Sequence, residues 1–273
     1  MRRLIIDAGA TRSDCCLTES GGMRRFDAPG MNVASMDQGS VDAAVAAIAA
    51  QLDKAPDGIS LYAAGLVADA PAWLQETFGR CFPGVPVDYA SDLMAAARAV
   101  CGHAPGLAAI LGTGSNSCQY DGQRIVRRVP GAGFILGDEG SASCLGKQFV
   151  ADYFKGLVPP AMAEAFSRQY DVRYETVVRQ VYRGPSPAGY LGGFAPFVTD
   201  WCGKEPYADA LVENNFRLFF RRMLGRYERY PVGIVGGFAA ALEPVLRRVA
   251  GEEGMEIRVI TASPMPGLMD YYA

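Results

Sequence analysis

Histidine is almost missing from this sequence: among 273 residues it occurs once, at position 103. The seven cysteines are an odd number, they include no CxxC pair, and none lies at metal-ligand spacing from His103. A disulfide framework and a zinc site are therefore not expected, and reduced thiols in a cytosolic protein agree best with this pattern. Cys15, Cys16 and Cys118 lie in apolar strand patterns and are interpreted as small core residues.

Runs of one charge are also missing. The net charge is −3, and basic residues cluster only as short pairs such as Arg221-Arg222 and Arg247-Arg248. Binding to nucleic acid or to an anionic membrane is therefore not expected. No apolar run reaches the length of a membrane span, and the first one meets Asp7 after three residues, which is too short for a signal peptide. These absences predict a cytoplasmic protein.

The first hundred residues read as a strand meander followed by alternating helices and strands. Short apolar runs that stop at glycine or turn residues predict the strands, and apolar residues at helical spacing predict the helices. We expect strands over 3–8, 14–18, 23–27, 59–63 and 85–89, and helices over 41–52, 71–82 and 92–101.

The segment 102–106, with two glycines and a proline, is the best domain boundary, because the pattern starts again after it. Residues 107–129 repeat the meander, with a turn over 112–117 placed opposite the turn over 7–13. This internal duplication is the most informative organisational feature. Beyond it we expect four or five helices over 141–229, the longest over 207–227, then a strand over 231–235, a helix over 238–250, a strand over 256–260 and a helix over 264–272.

Two turns rich in glycine and hydroxyl residues are candidates for phosphate binding. They cover 9–13 and 112–117, and neither contains the GxxxxGK[ST] pattern of a Walker A loop. Each turn alone is equally typical of a plain hairpin. As a duplicated pair they suit a triphosphate held from two sides, since free N–H groups in glycine turns attract anions.

Two aspartates lie at or after the ends of predicted strands, and each has two possible roles. Asp7 stops the first strand at a glycine, so it either stabilises the turn or holds Mg²⁺ beside a nucleotide's phosphates, for which one or two carboxylates suffice. Asp92 begins an alanine-rich helix, so it is either an N-cap or a general base that accepts a hydroxyl proton.

A second carboxylate pair, Asp138-Glu139, is bracketed by Gly137 and Gly140 after a glycine-rich approach from residue 131. Acidic residues before a helix are normal capping chemistry, but the surrounding glycines favour a functional role. Gly236-Gly237 is either a simple strand-to-helix turn or a place where an adenosine meets the backbone.

Taken together, these motifs resemble the actin-like sugar kinases, and more closely the N-acetylglucosamine kinase family, grouped with the BadF/BadG/BcrA/BcrD ATPases. The resemblance covers nearly the whole chain. Residues 7–14 resemble the first phosphate motif, 91–92 the segment with the catalytic aspartate, 111–117 the second phosphate motif and 235–237 the adenosine motif, and 137–141 is the most family-specific string.

The resemblance implies an α/β, two-lobed actin-like (ribonuclease H-like) ATPase fold. Each lobe is built on a five-stranded mixed sheet with flanking helices, and the second lobe carries a helical insertion. We expect lobes over 1–103 and 104–262 that close over ATP, Mg²⁺ and a sugar, and a last helix over 263–273 that returns to the first lobe. We also expect a homodimer.

The resemblance also implies roles for individual residues. Asp92 is the catalytic base, which accepts the proton of the sugar 6-hydroxyl, and Asp7 holds the metal. The nucleotide contacts are Asp7, Gly9, Ala10, Thr11, Arg12, Gly112, Thr113, Gly114, Ser115, Gly236 and Gly237. The sugar contacts are Asn32, Gly65, Asp92, Thr113, Asn116, Gly131 and Asp138.

Several alternatives stay open at this point. N-acetylglucosamine leads among the acceptors, with glucosamine and N-acetylmuramic acid behind it. A BadF-type ATPase that activates a partner enzyme would need cysteines paired around an iron–sulfur cluster, and no such pair is evident in the sequence. A sugar-sensing regulator on the same fold is the non-enzymatic alternative.

Overall fold

Two five-stranded β-sheets organise this computed structural model, which describes residues 2–9, 11–19, 21–66 and 69–273. The chain divides into two compact units. Unit 1 comprises the residues up to 104 together with 122–124 and 264–273, and unit 2 comprises 105–121 and 125–263.

The elements follow one another in this order. Those up to residue 136 are β1 (Arg3–Ala8), β2 (Arg12–Glu19), β3 (Gly22–Pro29), α1 (Gln38–Ala49), β4 (Gly58–Ala63), α2 (Ala72–Cys81), β5 (Val87–Ser91), α3 (Asp92–Cys101), β6 (Gly106–Leu111), β7 (Ser115–Tyr120), β8 (Ile125–Val129) and α4 (Gly133–Leu136). Those after it are α5 (Ala142–Phe154), α6 (Pro160–Gln169), α7 (Tyr174–Arg183), α8 (Pro187–Gly192), α9 (Ala195–Asp200), α10 (Pro206–Arg222), a single 3₁₀ turn (Leu224–Arg226), β9 (Val232–Val235), α11 (Gly237–Ala241), α12 (Glu243–Glu252), β10 (Ile257–Thr261) and α13 (Met265–Tyr271).

The sheet of unit 1 has the strand order β3-β2-β1-β4-β5. Its first three strands pair antiparallel, whereas β1, β4 and β5 run parallel. The central strand β1 is buried on both faces, because its consecutive apolar side chains point alternately to the two sides of the sheet. Leu4 and Ile6 belong to the cluster that includes α1 and α2, and Ile5 packs with residues of α3 and α13.

The sheet of unit 2 repeats this arrangement, with the order β8-β7-β6-β9-β10 and the same sequence of antiparallel and parallel pairs. The predicted duplication and the two mixed five-stranded sheets are therefore confirmed. The core of unit 2 is larger because six helices, α5 to α10, are inserted between β8 and β9 and contribute most of its buried aromatic side chains.

The C-terminal helix α13 packs closely on α3 within unit 1. A Cβ atom at Gly267 would lie 2.1 Å from the carbonyl oxygen of Ala99, so only glycine permits this approach. The Tyr272 hydroxyl lies 2.7 Å from the Tyr62 hydroxyl, and Arg98 of α3 donates to both. These contacts fix α13 against the face of the sheet on which Ile5 lies.

Several local predictions differ from the structure. The turn predicted over 112–117 ends at residue 114, because Ser115 pairs with Leu111 and continues as β7. The helix predicted over 238–250 is broken at Leu242, since Pro244 occupies the first turn of α12, where its missing N–H costs nothing. Segment 141–229, which is described throughout, contains six α-helices rather than four or five, and the short helix α4 was not predicted.

Among the described residues, no helix combines the length and the apolar character that crossing a membrane requires.

Candidate active site

The turn between β6 and β7 presents unpaired backbone N–H groups. The carbonyl oxygens of Gly112 and Thr113 accept hydrogen bonds of 3.0 Å from the first amides of α5, which hold the turn in place. In the described part of the chain, the amides of Thr113 and Gly114 have no hydrogen-bond partner. Amides without a partner in a glycine turn can bind anionic oxygens.

A cavity of about 490 Å³ adjoins this turn within unit 2. It lies at the carboxyl ends of the parallel strands β6 and β9, the usual ligand position in α/β sheets. Gly236 has φ 143°, and a Cβ there would lie 2.1 Å from the carbonyl oxygen of Leu111. A Cβ at Gly112 or Gly237 would meet no atom within 4 Å, so both border open space. The lining residues are Gly112, Thr113, Ala142, Gly192, Ala195, Pro196, Thr199, Gly237, Phe238, Ala241 and Leu242.

Asp138 is held in a left-handed backbone conformation beside the same turn. Its φ is 59°, which is uncommon for a residue other than glycine and occurs most often at functional sites. The carboxylate is 8% exposed, and its Oδ1 accepts the Ser115 N–H at 3.1 Å. A Cβ at Gly114 would lie only 3.1 Å from its Oδ2. The carboxylate of Asp138 and the phosphate-type turn are therefore direct neighbours.

The groups around Asp138 have opposing effects on the pKa of its carboxyl group. Burial raises the pKa of its carboxyl group, whereas the Ser115 N–H and the Lys147 ammonium group act to lower this pKa. Lys147 also donates to the carbonyl oxygen of Phe134 in α4. Gly131 completes the loop, because its carbonyl accepts the Asp138 N–H at 2.8 Å and a Cβ there would lie 2.2 Å from the Ser115 carbonyl oxygen.

Asn215 of α10 holds the peptide that follows this loop, a role that the sequence reasoning missed. Its Oδ1 accepts the Gly140 N–H, and its Nδ2 donates to the Ser141 carbonyl, both at 3.0 Å. The side chain is 4% exposed. A polar residue inside the apolar stripe of a helix was the only indication in the sequence.

We expect Asn215→Leu to destabilise the protein by about 3 kcal/mol, because it leaves the Gly140 N–H and the Ser141 carbonyl buried without partners. Chemical denaturation measures this change. Asn214→Leu is the matched control, since Asn214 is exposed on the same helix and its replacement should change the free energy of unfolding by less than about 0.5 kcal/mol. Equal effects of the two substitutions would contradict the role of Asn215.

In unit 1, Asp7 lies at the end of β1 directly opposite Asp14 of β2. Burial, Asp14 and Asp92 together raise the pKa of Asp7 to about 7. Asp14 and Asp92 are thus each close enough to repel the charge of Asp7, and Asp14 also forms an ion pair with Arg25. A divalent cation bound at Asp7 would add further positive charge. No group of three or more His, Cys, Asp or Glu side chains forms a ready-made metal site among the residues described.

The N-cap of α3 is Ser91 rather than Asp92. The Ser91 hydroxyl accepts the Met94 N–H at 3.2 Å, whereas Asp92 is the first residue inside the helix and accepts the N–H of Leu93 at 2.7 Å. The capping alternative for Asp92 is therefore wrong. Asp92 is half-buried, and its charge contributes to the raised pKa of Asp7.

Asn32 lies directly beside Gly65 in unit 1. The Oδ1 atom of Asn32 accepts the N–H groups of Ala34 at 3.0 Å and Ser35 at 3.2 Å, which leaves its Nδ2 group available as a donor. Gly65 has φ 81°, and a Cβ there would lie 2.6 Å from Asn32 Oδ1. Only glycine therefore allows the Asn32 side chain its observed position.

The other predicted site residues are placed as follows. Gly9 closes a tight turn through a hydrogen bond of 3.0 Å from its N–H to the Arg12 carbonyl, and Ala10 lies outside the described residues. Thr11 and Arg12 are exposed, and the guanidinium of Arg12 lies 3.6 Å from Asp27. Asn116 is half-buried on β7. The structure thus brings Thr113, Ser115, Gly131 and Asp138 together in unit 2, and Asp7 and Asp92 together in unit 1.

Comparison with solved structures gives a full-length match. A Porphyromonas gingivalis protein provisionally named N-acetylglucosamine kinase is 35% identical to this chain, covers 98% of both chains and has a TM-score of 0.90. A Chromobacterium violaceum protein with the same provisional name is 21% identical over 100% of this chain and 99% of its own, with a TM-score of 0.75. An ethanolamine utilization protein of Carboxydothermus hydrogenoformans, 14% identical over 98% of this chain and 87% of its own, has a TM-score of 0.52 and shows the fold alone. No protein-family model and no curated protein sequence matches.

Proposed function

Because the chain belongs to the N-acetylglucosamine kinase family of actin-like sugar kinases, we propose that it transfers the γ-phosphoryl group of ATP to the 6-hydroxyl of N-acetylglucosamine. The observation that carries this proposal is the contact between two features of unit 2. The buried carboxylate of Asp138 lies directly against the turn whose free amides suit phosphate oxygens. A donor phosphate and a hydroxyl-rich acceptor would therefore bind side by side.

The nucleotide is assigned to the cavity of unit 2. The amides of Thr113 and Gly114 bind phosphate oxygens. Gly237 lines the cavity and borders open space, which leaves room for the nucleoside beside the backbone, and Gly236 allows the preceding turn to pack against Leu111. Most of the other lining side chains are apolar, which suits the faces of a purine.

The sugar is assigned to hydrogen-bonding groups that are each held in place within their own unit. Asp138 is an acceptor for sugar hydroxyls, and its backbone and one carboxylate oxygen are held by Gly131 and Ser115. Asn32 offers its Nδ2 group as a donor, since its oxygen is occupied within its own turn. Groups fixed before binding lose little entropy when the sugar arrives.

Asp92 is assigned as the general base. It accepts the proton of the sugar hydroxyl while that oxygen attacks the γ-phosphorus atom and ADP leaves. Ser91 rather than Asp92 caps the helix, so the proposed role of general base does not compete with helix capping. Asp7 is assigned to hold Mg²⁺, which when bound neutralises charge on the nucleotide phosphates.

The structure does not favour a BadF-type activating ATPase. Cys15, Cys16, Cys101 and Cys118 are buried. The other three cysteines are half-buried and far apart in the sequence: Cys81 lies in α2, Cys144 in α5 and Cys202 in the turn after α9. Among the described residues they do not gather into a ligand group.

A kinase assay over a panel of sugars tests the proposal. With ATP and Mg²⁺, we expect kcat/KM for N-acetylglucosamine to exceed that for glucosamine and N-acetylmuramic acid by about tenfold or more, the value of one well-placed hydrogen bond. The product is identified by ³¹P and ¹³C NMR as the 6-phosphate. ATP hydrolysis without phosphorylation of any sugar would overturn the proposal and favour an ATPase.

A further inference from the structure

Apart from the turn between β6 and β7, the lining of the unit 2 cavity is almost entirely apolar. Its walls are Ala195 and Pro196 of α9, together with Phe238, Ala241 and Leu242 from α11 and the residue after it. Only two lining residues have side chains that can form ordinary hydrogen bonds, Thr113 and Thr199. Thr113 belongs to the turn between β6 and β7, so among the described residues Thr199 is the one such side chain in the rest of the lining.

The Thr199 hydroxyl has its hydrogen already engaged. Its Oγ1 donates to the carbonyl oxygen of Pro196 at 2.9 Å, one turn earlier in α9. A hydroxyl group has a single hydrogen and two lone pairs. While this bond is kept, Thr199 offers a ligand acceptor lone pairs only.

We propose that Thr199 selects the base of the nucleotide, favouring purines with an amino group at position 6 over purines with a carbonyl there. This inference rests on the proposed function, which places a nucleotide in the cavity. A 6-amino group donates to the free lone pair of Thr199. A 6-oxo group would place an acceptor against an acceptor, or would force the hydroxyl to give up its bond to Pro196.

The apolar walls make this single contact informative. Phe238, Leu242 and Ala195 contact the faces of any purine equally well, so they do not distinguish adenine from hypoxanthine. Discrimination must come from a polar group at the edge of the base, and Thr199 is the candidate that the cavity provides.

The test compares ATP with ITP, which differs at purine position 6, and with purine riboside triphosphate, which has only hydrogen there. For the wild-type protein we expect kcat/KM with ATP to be about tenfold higher than with ITP, as one hydrogen bond allows. Thr199→Val keeps the shape and removes the acceptor. It should lower the ratio to about twofold or less by raising KM for ATP, with kcat unchanged.

Two further variants complete the design. Thr199→Ser restores a hydroxyl and should recover most of the preference. Thr176→Val is the matched control, because Thr176 lies on α7 outside the cavity lining and its loss should leave the ratio unchanged. An equal response of the wild-type protein to ATP and ITP, or a preference that persists in Thr199→Val, overturns the inference.

Binding measurements separate this inference from the proposed function. Isothermal titration with ADP and IDP needs neither sugar nor turnover. A preference of about tenfold for ADP that Thr199→Val abolishes supports the role of Thr199 even if no sugar is phosphorylated. If neither diphosphate binds, the nucleotide assignment of the cavity is wrong, and the role of Thr199 is overturned with it.

Discussion

Asp92→Asn lowers kcat for sugar phosphorylation by about a hundredfold to ten-thousandfold, while the affinity for the sugar changes much less. The amide keeps the shape of the carboxylate and can still form hydrogen bonds, but it cannot accept the hydroxyl proton. The helix should survive, because Ser91 provides the cap. Loss of a negative charge in the first turn of α3 should cost only about 0.5 kcal/mol of stability. Steady-state kinetics together with sugar titration calorimetry measures both effects.

Asp88→Asn is the control for this substitution. Asp88 lies on β5, four residues earlier, and its half-exposed side chain forms a 3.0 Å ion pair with Arg98. Such a pair contributes little, about 1 kcal/mol or less, so kcat should stay near that of the wild type. A near wild-type kcat for Asp92→Asn, or an equal loss in the two variants, would falsify the assignment of Asp92 as the base.

Asp7→Asn is expected to stabilise the protein at pH 8 while it removes most of the Mg²⁺-dependent activity. The folded-state pKa of Asp7 is about 7, above its ordinary value of 3.8, because the carboxylate is buried beside Asp14 and Asp92. Between pH 4 and pH 7 the native state therefore binds the extra proton. Stability accordingly falls as the pH rises through this window, and above pH 7 the full cost of the ionised Asp7 is present.

The size of this effect can be measured by chemical denaturation without nucleotide or Mg²⁺. We expect Asp7→Asn to raise the free energy of unfolding by about 2 kcal/mol at pH 8. The increase should be much smaller near pH 4, where the folded wild-type side chain is neutral and the unfolded one is only about half ionised. Asp27→Asn is the control, because this carboxylate of β3 is 63% exposed and should change stability little at either pH. A variant that is less stable than the wild type at pH 8 would contradict the prediction.

The same pKa has a consequence for the metal. In the wild-type protein, protons and Mg²⁺ compete for Asp7, so the Mg²⁺ concentration that gives half-maximal activity should rise as the pH falls from 8 to 6. In Asp7→Asn this dependence should be lost together with at least a hundredfold of kcat/KM. A stabilising change that abolishes activity is typical of a functional site that the fold holds under strain.

Much of the fold could be predicted because its pattern is local. Short apolar runs that end at glycine predicted the strands. The repetition of these runs after residue 106 indicated two sheets of the same topology. The boundary errors have equally local causes. Ser115 and Asn116 are polar and read as part of a turn, but pairing with Leu111 and Ile110 draws them into β7. Pairing with a neighbouring strand overrides the preference of a single residue.

Part of the candidate site could be predicted from the sequence. Asp7, Asp92 and the glycine turns stand where strands end, so their positions follow from the strand pattern. The roles of Ser91 and Asp92 at the start of α3 were not separable, since both residues are good helix starters and only the hydrogen bonds distinguish them. Asn215 and Thr199 carried no motif at all.

The sequence by itself therefore determined the duplicated sheets, the two glycine turns and the carboxylates at the strand ends, because each depends on neighbours within a few residues. Only the tertiary structure decided the left-handed conformation of Asp138, its bond to Ser115, 23 residues away, and the bonds of Asn215 to a loop some 75 residues earlier. The raised pKa of Asp7 is of the same kind, since it requires Asp14 and Asp92 to meet in a buried place. Contacts between distant segments arise from packing, and no local pattern of residues determines how distant segments pack.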